Sequence, residues 1–325
     1  MKKRLLLFVS LCIYIVWAGG GLIQGATNSK TKKSTNAQEV LQKGREAFLD
    51  YDFEEANDLF EQYVALKKRA KQPLDEDFEQ LQNQLNIASN AFERVQKIVI
   101  IDSITVARDS FYKAYKLASS AGAIGLSEEF NLKELGIGDE VGFINEKKDY
   151  FISAVPNEDN EIRLMENRKL LDGTWITNPM LTGNFDKSGD YKFPFLSGDG
   201  QTFYFANNGP ESMGGYDLFV VQKEPINGNC LQPLNLGMPF NSPYNDFMLV
   251  IDEETGVGWW ATDRNSLGED ITIYIYLLDD VRQNYPPDSE NLVEYAKVAD
   301  VKATWDAGKG EEYQKILNSL SSLRE

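Results

Sequence analysis

Two hydrophobic periods divide the chain. A helical region begins at Ala37, and within it Phe78, Leu81, Leu85, Ala88, Phe92 and Val95 alternate steps of three and four, which predicts an amphipathic helix opened by Pro73 and Asp75. At Lys97–Val106, KIVIIDSITV, the period turns strand-like, and Asp109 then sits as an N-cap ahead of a helix predicted over Ser110–Ser120. Further on, short β-branched and aromatic runs alternate with turn residues. Asp199-Gly200 precedes the strand Thr202–Ala206, Asn207-Asn208-Gly209-Pro210 breaks it, and Tyr216–Val221 returns as the second strand of a hairpin. A second hairpin runs through Val257–Ala261, the loop Asp263–Gly268 and Ile271–Tyr276, and a fainter one pairs Tyr150–Ser153 with Glu161–Met165. Aligning Ser153, Ala206 and Ala261 gives steps of 53 and 55 residues. After Tyr285-Pro286-Pro287 the pattern is helical again at Ser289–Val298 and Glu311–Leu323.

The repeated unit carries Phe195, Ser197, Asp199, Gly200, Tyr204 to Ala206, Asn208 and Gly209, then Gly214 to Phe219, then Asn235 to Gly237, Pro239, Asn241 to Pro243, Asp246 and Phe247. Over about Gly138–Asp280 this resembles the WD40-like, or PD40, β-propeller repeats of TolB-type and Bacteroidetes cell-envelope proteins. In the helical stretch Gly44, Phe53, Ala56 and Phe60 fall at the spacings of a tetratricopeptide repeat, with the turn near Asp50-Tyr51-Asp52, although Ala47 stands where the repeat usually has an aromatic residue. The resemblance implies a mainly β, PD40 β-propeller-like domain of at least three blades preceded by a TPR-like α-helical segment. The expected organisation is a signal peptide at 1–26, a linker at 27–36, helices at 37–97, the β domain at 98–285 and C-terminal helices at 286–325. Three hairpins are fewer than a closed ring needs. A degenerate blade within Lys97–Asp139, helices covering an incomplete ring, or two chains closing one another are the alternatives, with the flanking helices expected to cover the open edge.

The first 26 residues have the makeup of an export signal: Lys2, Lys3 and Arg4, then the apolar run Leu5–Trp17, then small residues at Ala18-Gly19-Gly20 and Gly25-Ala26. An exported, periplasmic or outer-membrane-associated protein follows, with any membrane association indirect. The chain carries 33 Lys or Arg against 50 Asp or Glu, a net charge of −17 that disfavours nucleic acid and anionic lipid as partners. It contains no histidine and two cysteines, Cys12 within the signal segment and Cys230, so triad chemistry, imidazole-ligated metals and an internal disulfide in the mature chain are excluded. No cofactor or metal is expected. Carboxylate pairs remain, and Asp199, Asp217, Asp246, Asp252, Asp263 and Asp270 are candidates for a glycoside hydrolase, which needs two acids about 5–10 Å apart, although most sit where an aspartate simply closes its own turn.

The resemblance implies non-catalytic work, a scaffold holding unidentified envelope proteins. A candidate recognition rim is formed by Asn208, Glu211, Ser212, Arg264 and Asn265, with Trp260 as a platform if its indole is exposed. Consecutive Trp259 and Trp260 point to opposite faces of one strand, so both being core is the competing reading. Phe53, Phe60, Phe78, Leu85 and Phe92 form a candidate helical docking surface, with helix packing as its competing reading. A glycan- or peptidoglycan-binding module is the alternative function, and a carboxylate-only glycosidase the next.

Overall fold

The computed structural model describes residues 36–137, 140–179, 188–224, 229–266, 270–279 and 281–322. The expected signal segment and nearly all of the linker lie outside them. The protein is mainly β, with helices at its flanks.

Among the described residues three helices come first: α1 (Ala37–Leu49), α2 (Phe53–Ala70) and α3 (Phe78–Phe92). Asn36 caps α1 through the Gln38 N–H, and Asp52 caps α2 through the Glu55 N–H at 3.1 Å. Glu54 and Glu55 in the first turn of α2 and Lys67, Lys68 and Arg69 in its last turn complement the helix dipole. A Cβ on Gly44 would lie 2.5 Å from the Phe60 ring, so the glycine is what lets α1 and α2 touch. α3 starts three residues later than Asp75 predicts. That carboxylate is taken up ahead of the helix by Lys67 at 2.8 Å and by Gln38, while its own N–H donates to the Tyr63 hydroxyl.

Fifteen antiparallel strands follow among the described residues. β1 (Gln96–Lys97) and β2 (Ile100–Ala107) lead in. The first sheet is the meander β3 (Ala123–Gly125), β4 (Gly142–Ile144), β5 (Tyr150–Pro156), β6 (Ile162–Lys169) and β7 (Trp175–Pro179). The second is β8 (Tyr191–Leu196), β9 (Thr202–Asn207), β10 (Asp217–Gln222) and β11 (Leu234–Asn235). The third is β12 (Asp246–Asp252), β13 (Val257–Thr262) and β14 (Asp270–Leu277), with β2 joined to the far edge of β14. β15 (Gln283–Asn284) pairs with β1, and α4 (Leu292–Lys297) and α5 (Gly310–Ser322) end the fold.

The repeat alignment holds at the level of register. Ser153, Ala206 and Ala261 are paired with Met165, Leu218 and Ile273, each twelve residues on. The second and third sheets also share a bulge that no local residue preference announces: β8 slips between Lys192 and Phe195, β12 between Phe247 and Val250, and Phe193 and Met248 take left-handed backbone with φ of 54° and 52°. These bulges aim Phe193 and Phe247 at one another, stacked at 4.8 Å, and Phe111 meets both edge-on at 5.9 and 5.2 Å. Aromatic rings thus fill the space between the inner strands.

The sheets pack in chain order, the first against β8, the second against β12. Leu218, Leu249, Trp260, Tyr274 and Tyr276 form the core between the second and third. The described strands fall into four separate sheets, three of them of four or five strands. Within Lys97–Asp139, residues 100–137 supply no blade of their own: they lend β2 to the third sheet and β3 to the first, and the 3-10 turn Arg108–Ala114 touches β14 and β3. This segment also corrects the helix predicted over Ser110–Ser120. Ser110 has φ −134°, Asp109 caps nothing, and the chain is pulled into the core by Phe111, by Tyr112 and by Tyr115, whose ring lies 5.7 Å from Trp259. Burying these three rings in the core between the strands outweighs the helix propensity of the segment. Leu132 and Ile137 cover Ile144 and Phe151 on the outer face of the first sheet.

Candidate interaction surfaces

The loops that follow β9 and β13, and the segment between β11 and β12, gather at one end of the sheets. Most of the repeat-motif residues are there, and they are spent on one another. The buried Asp217 carboxylate accepts the Met213 N–H at 2.9 Å and the Asn235 amide at 2.7 Å. Asn235 in turn accepts from Gly237 N and the Asn241 amide, while Asn241 bonds both backbone groups of Leu218, at 2.7 and 2.9 Å. Ser242 donates to Asp246, and Asp246 is ion-paired to Arg264. The Arg264 guanidinium is sealed in: it also donates to the carbonyls of Pro239 and Phe240 at 2.9 Å and to the Thr262 hydroxyl at 3.1 Å. Side chains on Gly214 or Gly215 would run into the backbone of Ser242 and Tyr244 and into Asn245, so the paired glycines are a packing requirement.

Burial pushes the Asp217 carboxyl up to about 8, against the N–H donors that favour its charged form. It likewise raises Asp246, with Arg264 pulling the other way. Cys230 is buried, and its thiol is raised by that burial, the opposite of an activated nucleophile.

The helices sit on this end. Asn83 donates to the Pro210 carbonyl at 2.7 Å, Gln84 to that of Gly214, and Met213 and Met238 join the core of Phe53, Phe60, Phe78 and Leu85 together with Leu292 and Ala296 of α4. The candidate rim and the candidate helical docking surface therefore lie against the same contact, and neither is open as expected. Phe53, Phe60, Phe78 and Leu85 are core, and Phe92 is half-buried against Phe53 at 5.5 Å. Trp260 is fully buried among Phe240, Tyr274 and Tyr276, which removes it as a stacking platform, and Trp259 is core as well. Ser212 is buried and donates to the Asn207 carbonyl, and Asn208 accepts the Asp190 N–H at 2.7 Å. Only Glu211 and Asn265 are exposed, and the Asn265 amide is held by the Tyr274 hydroxyl.

The six carboxylates are distributed in the same way. Asp199 closes its own turn through Gln201 N and Thr202, Asp252 holds the Ala118 N–H at 2.8 Å, and Asp263 holds Asn245 and Arg108. Asp217 and Asp246 belong to the buried network, and Asp270 is exposed. Among the described residues no group of three or more acidic or cysteine side chains is arranged to hold a metal ion.

The opposite end is open. Between the second and third sheets, where the β8–β9 and β12–β13 turns lie, a cleft of about 930 Å³ is floored by Tyr204, Val220, Leu236 and Ile251. Gln96 and Lys97 wall it on one side and Asp306, Lys309 and Glu312, beside and on α5, on another. Nothing local marks these residues: Tyr204 and Val220 are ordinary strand positions, and Glu312 lies 108 residues after Tyr204 in the chain. The one legible signal was strand alternation, which puts Tyr204 and Val220 on the face opposite Phe203, Phe205, Phe219 and Val221.

Comparison with protein-family models, with curated proteins and with solved structures finds no match to this chain.

Proposed function

We propose that this chain is a non-catalytic, protein-binding scaffold of the bacterial cell envelope, built on PD40-type β-propeller-like sheets with a tetratricopeptide-like helical cap. One observation carries this reading. The polar residues of the repeat motif, the groups a catalytic rim would have used, are consumed in hydrogen bonds that tie the β9–β10 loop, β11 and the β11–β12 segment to the strands of the second and third sheets. A fold that spends its distinctive polar groups on rigidity presents a fixed surface, which is what holding other proteins requires. The envelope location rests on the signal-like residues 1–26 and on the PD40 resemblance. The glycan reading loses its stacking platform, because both indoles of the Trp259-Trp260 pair are core.

The test is crosslinking of the intact protein in its native envelope, detergent extraction through a C-terminal tag and identification of what is recovered. Defined envelope proteins recovered in constant proportion support the scaffold. Enriched glycan fragments with no protein overturn it. Deleting residues 37–97 would strip the cover from Met213 and Met238, so contact mapping needs point substitutions at exposed positions.

A further inference from the structure

We propose that the cleft between the second and third sheets binds a basic, aliphatic-rich peptide segment of a partner protein, a proposal that rests on the scaffold reading and names the chemistry of what is held. The floor is mostly aliphatic: Val220, Leu236 and Ile251, with Val99 and Leu277 beside them and Tyr204 as the partly exposed aromatic. Aliphatic surface of this kind accommodates peptide side chains, whereas a sugar ring is best met by a flat exposed aromatic face.

The charges on the walls set the sign of the ligand. Of the three cations, Lys97 is paired with Asp306 at 2.8 Å, Lys309 lies 3.8 Å from the same carboxylate, and Arg282 is tethered to the Leu236 carbonyl at 2.9 Å. The walls also carry Asp199, Glu253, Asp279 and Glu312. Glu253 and Glu312 are exposed and make no ion pair among the described residues. Asp199 and Glu253 both act on the Tyr204 phenol, whose pKa is raised first by burial and then by these two charges. The net charge of residues 36–325 has the same sign, because the first 35 residues hold six of the 33 cations and none of the 50 anions, leaving a net −23. Apolar floor and unmatched anionic rim together select a chain of alternating cationic and aliphatic side chains over an acidic peptide or a neutral glycan.

The full chain without residues 1–26 is titrated into a fluorescein-labelled peptide of alternating Lys and Val, followed by anisotropy, with the Glu and Val counterpart and a chitin tetrasaccharide as competing probes. Non-specific attraction is controlled by charge. Glu253→Lys with Glu312→Lys changes the net charge by as much as Glu158→Lys with Asp159→Lys, two exposed positions in the β5–β6 turn. The expected result is saturable binding of the basic peptide alone, weakened at least tenfold by the cleft pair and less than threefold by the distant pair, with both variants retaining the parent melting temperature. Equal weakening by the two pairs, or binding of the acidic peptide or the tetrasaccharide to the cleft, overturns the proposal. The envelope crosslinking separates this failure from failure of the scaffold reading. If the cleft pair recovers the same proteins as the parent, the cleft assignment falls and the scaffold stands; if the parent recovers none, the scaffold reading itself falls.

Discussion

The two ends of the sheets use acidic residues in opposite ways. At the helix-covered end Asp217 and Asp246 are buried, each surrounded by donors, and the price of removing them from water is offset by hydrogen bonds that fix loop to loop. At the open end Asp199, Glu253 and Glu312 stay in solvent and constrain little beyond their own turns. The same residue type is thus structural where the tertiary fold closes over it and available for recognition where the sheets splay apart.

The comparison is broken most severely at Arg264. Arg264→Met should leave Asp246 as an uncompensated buried charge and lower stability by about 3–5 kcal/mol, read from urea unfolding, while Arg264→Met combined with Asp246→Leu should recover most of it. An equal loss in the single and double variants would mean that the pair is not what the charge pays into the fold. Next in size, Gly44→Ala forces a Cβ into the Phe60 ring and should cost about 1–3 kcal/mol, loosening the helices that cover the wired end.

Asp217 supplies a pH test. Its folded-state pKa is raised to about 8 from an ordinary 3.8, so the folded state favours the protonated form, and that advantage is complete below about 4 and lost as pH rises toward 8. Relative to Asp217→Asn, the parent should therefore lose stability between pH 4 and 8, seen as a falling urea midpoint that the variant does not share. A parallel pair of curves would refute the shift. At the open end, Glu253→Lys alone should move stability by no more than about 0.5 kcal/mol, since an exposed turn residue anchors nothing. Tyr51→Phe should have an effect of the same small order, in the stabilising direction. The Tyr51 hydroxyl is buried beside the Arg264–Asp246 pair with no partner in good hydrogen-bond geometry, Ser242 being its nearest polar neighbour, so its removal should leave stability unchanged or raise it by up to about 0.5 kcal/mol, measured by the same unfolding series.

Sequence alone determined the local period and the repeat. The hairpins at Thr202–Val221, Val257–Tyr276 and Tyr150–Met165, the common register of Ser153, Ala206 and Ala261, the helical pair meeting at Gly44 and Phe60, and the turn role of Asp199 all follow from alternation, spacing and turn chemistry within a few tens of residues. The tertiary structure decided what covers what. Whether Trp260 is a platform or core depends on Phe240 arriving from the β11–β12 segment and Tyr276 from β14; whether Asp246 is a rim carboxylate or half of a buried pair depends on Arg264 lying beside it; and the open cleft takes one of its walls from α5, which returns from the far end of the chain. The physical reason is that burial is set by which distant surfaces meet, a property of the closed chain, whereas a residue's preference for a strand, a turn or a cap is written into its own backbone and neighbours.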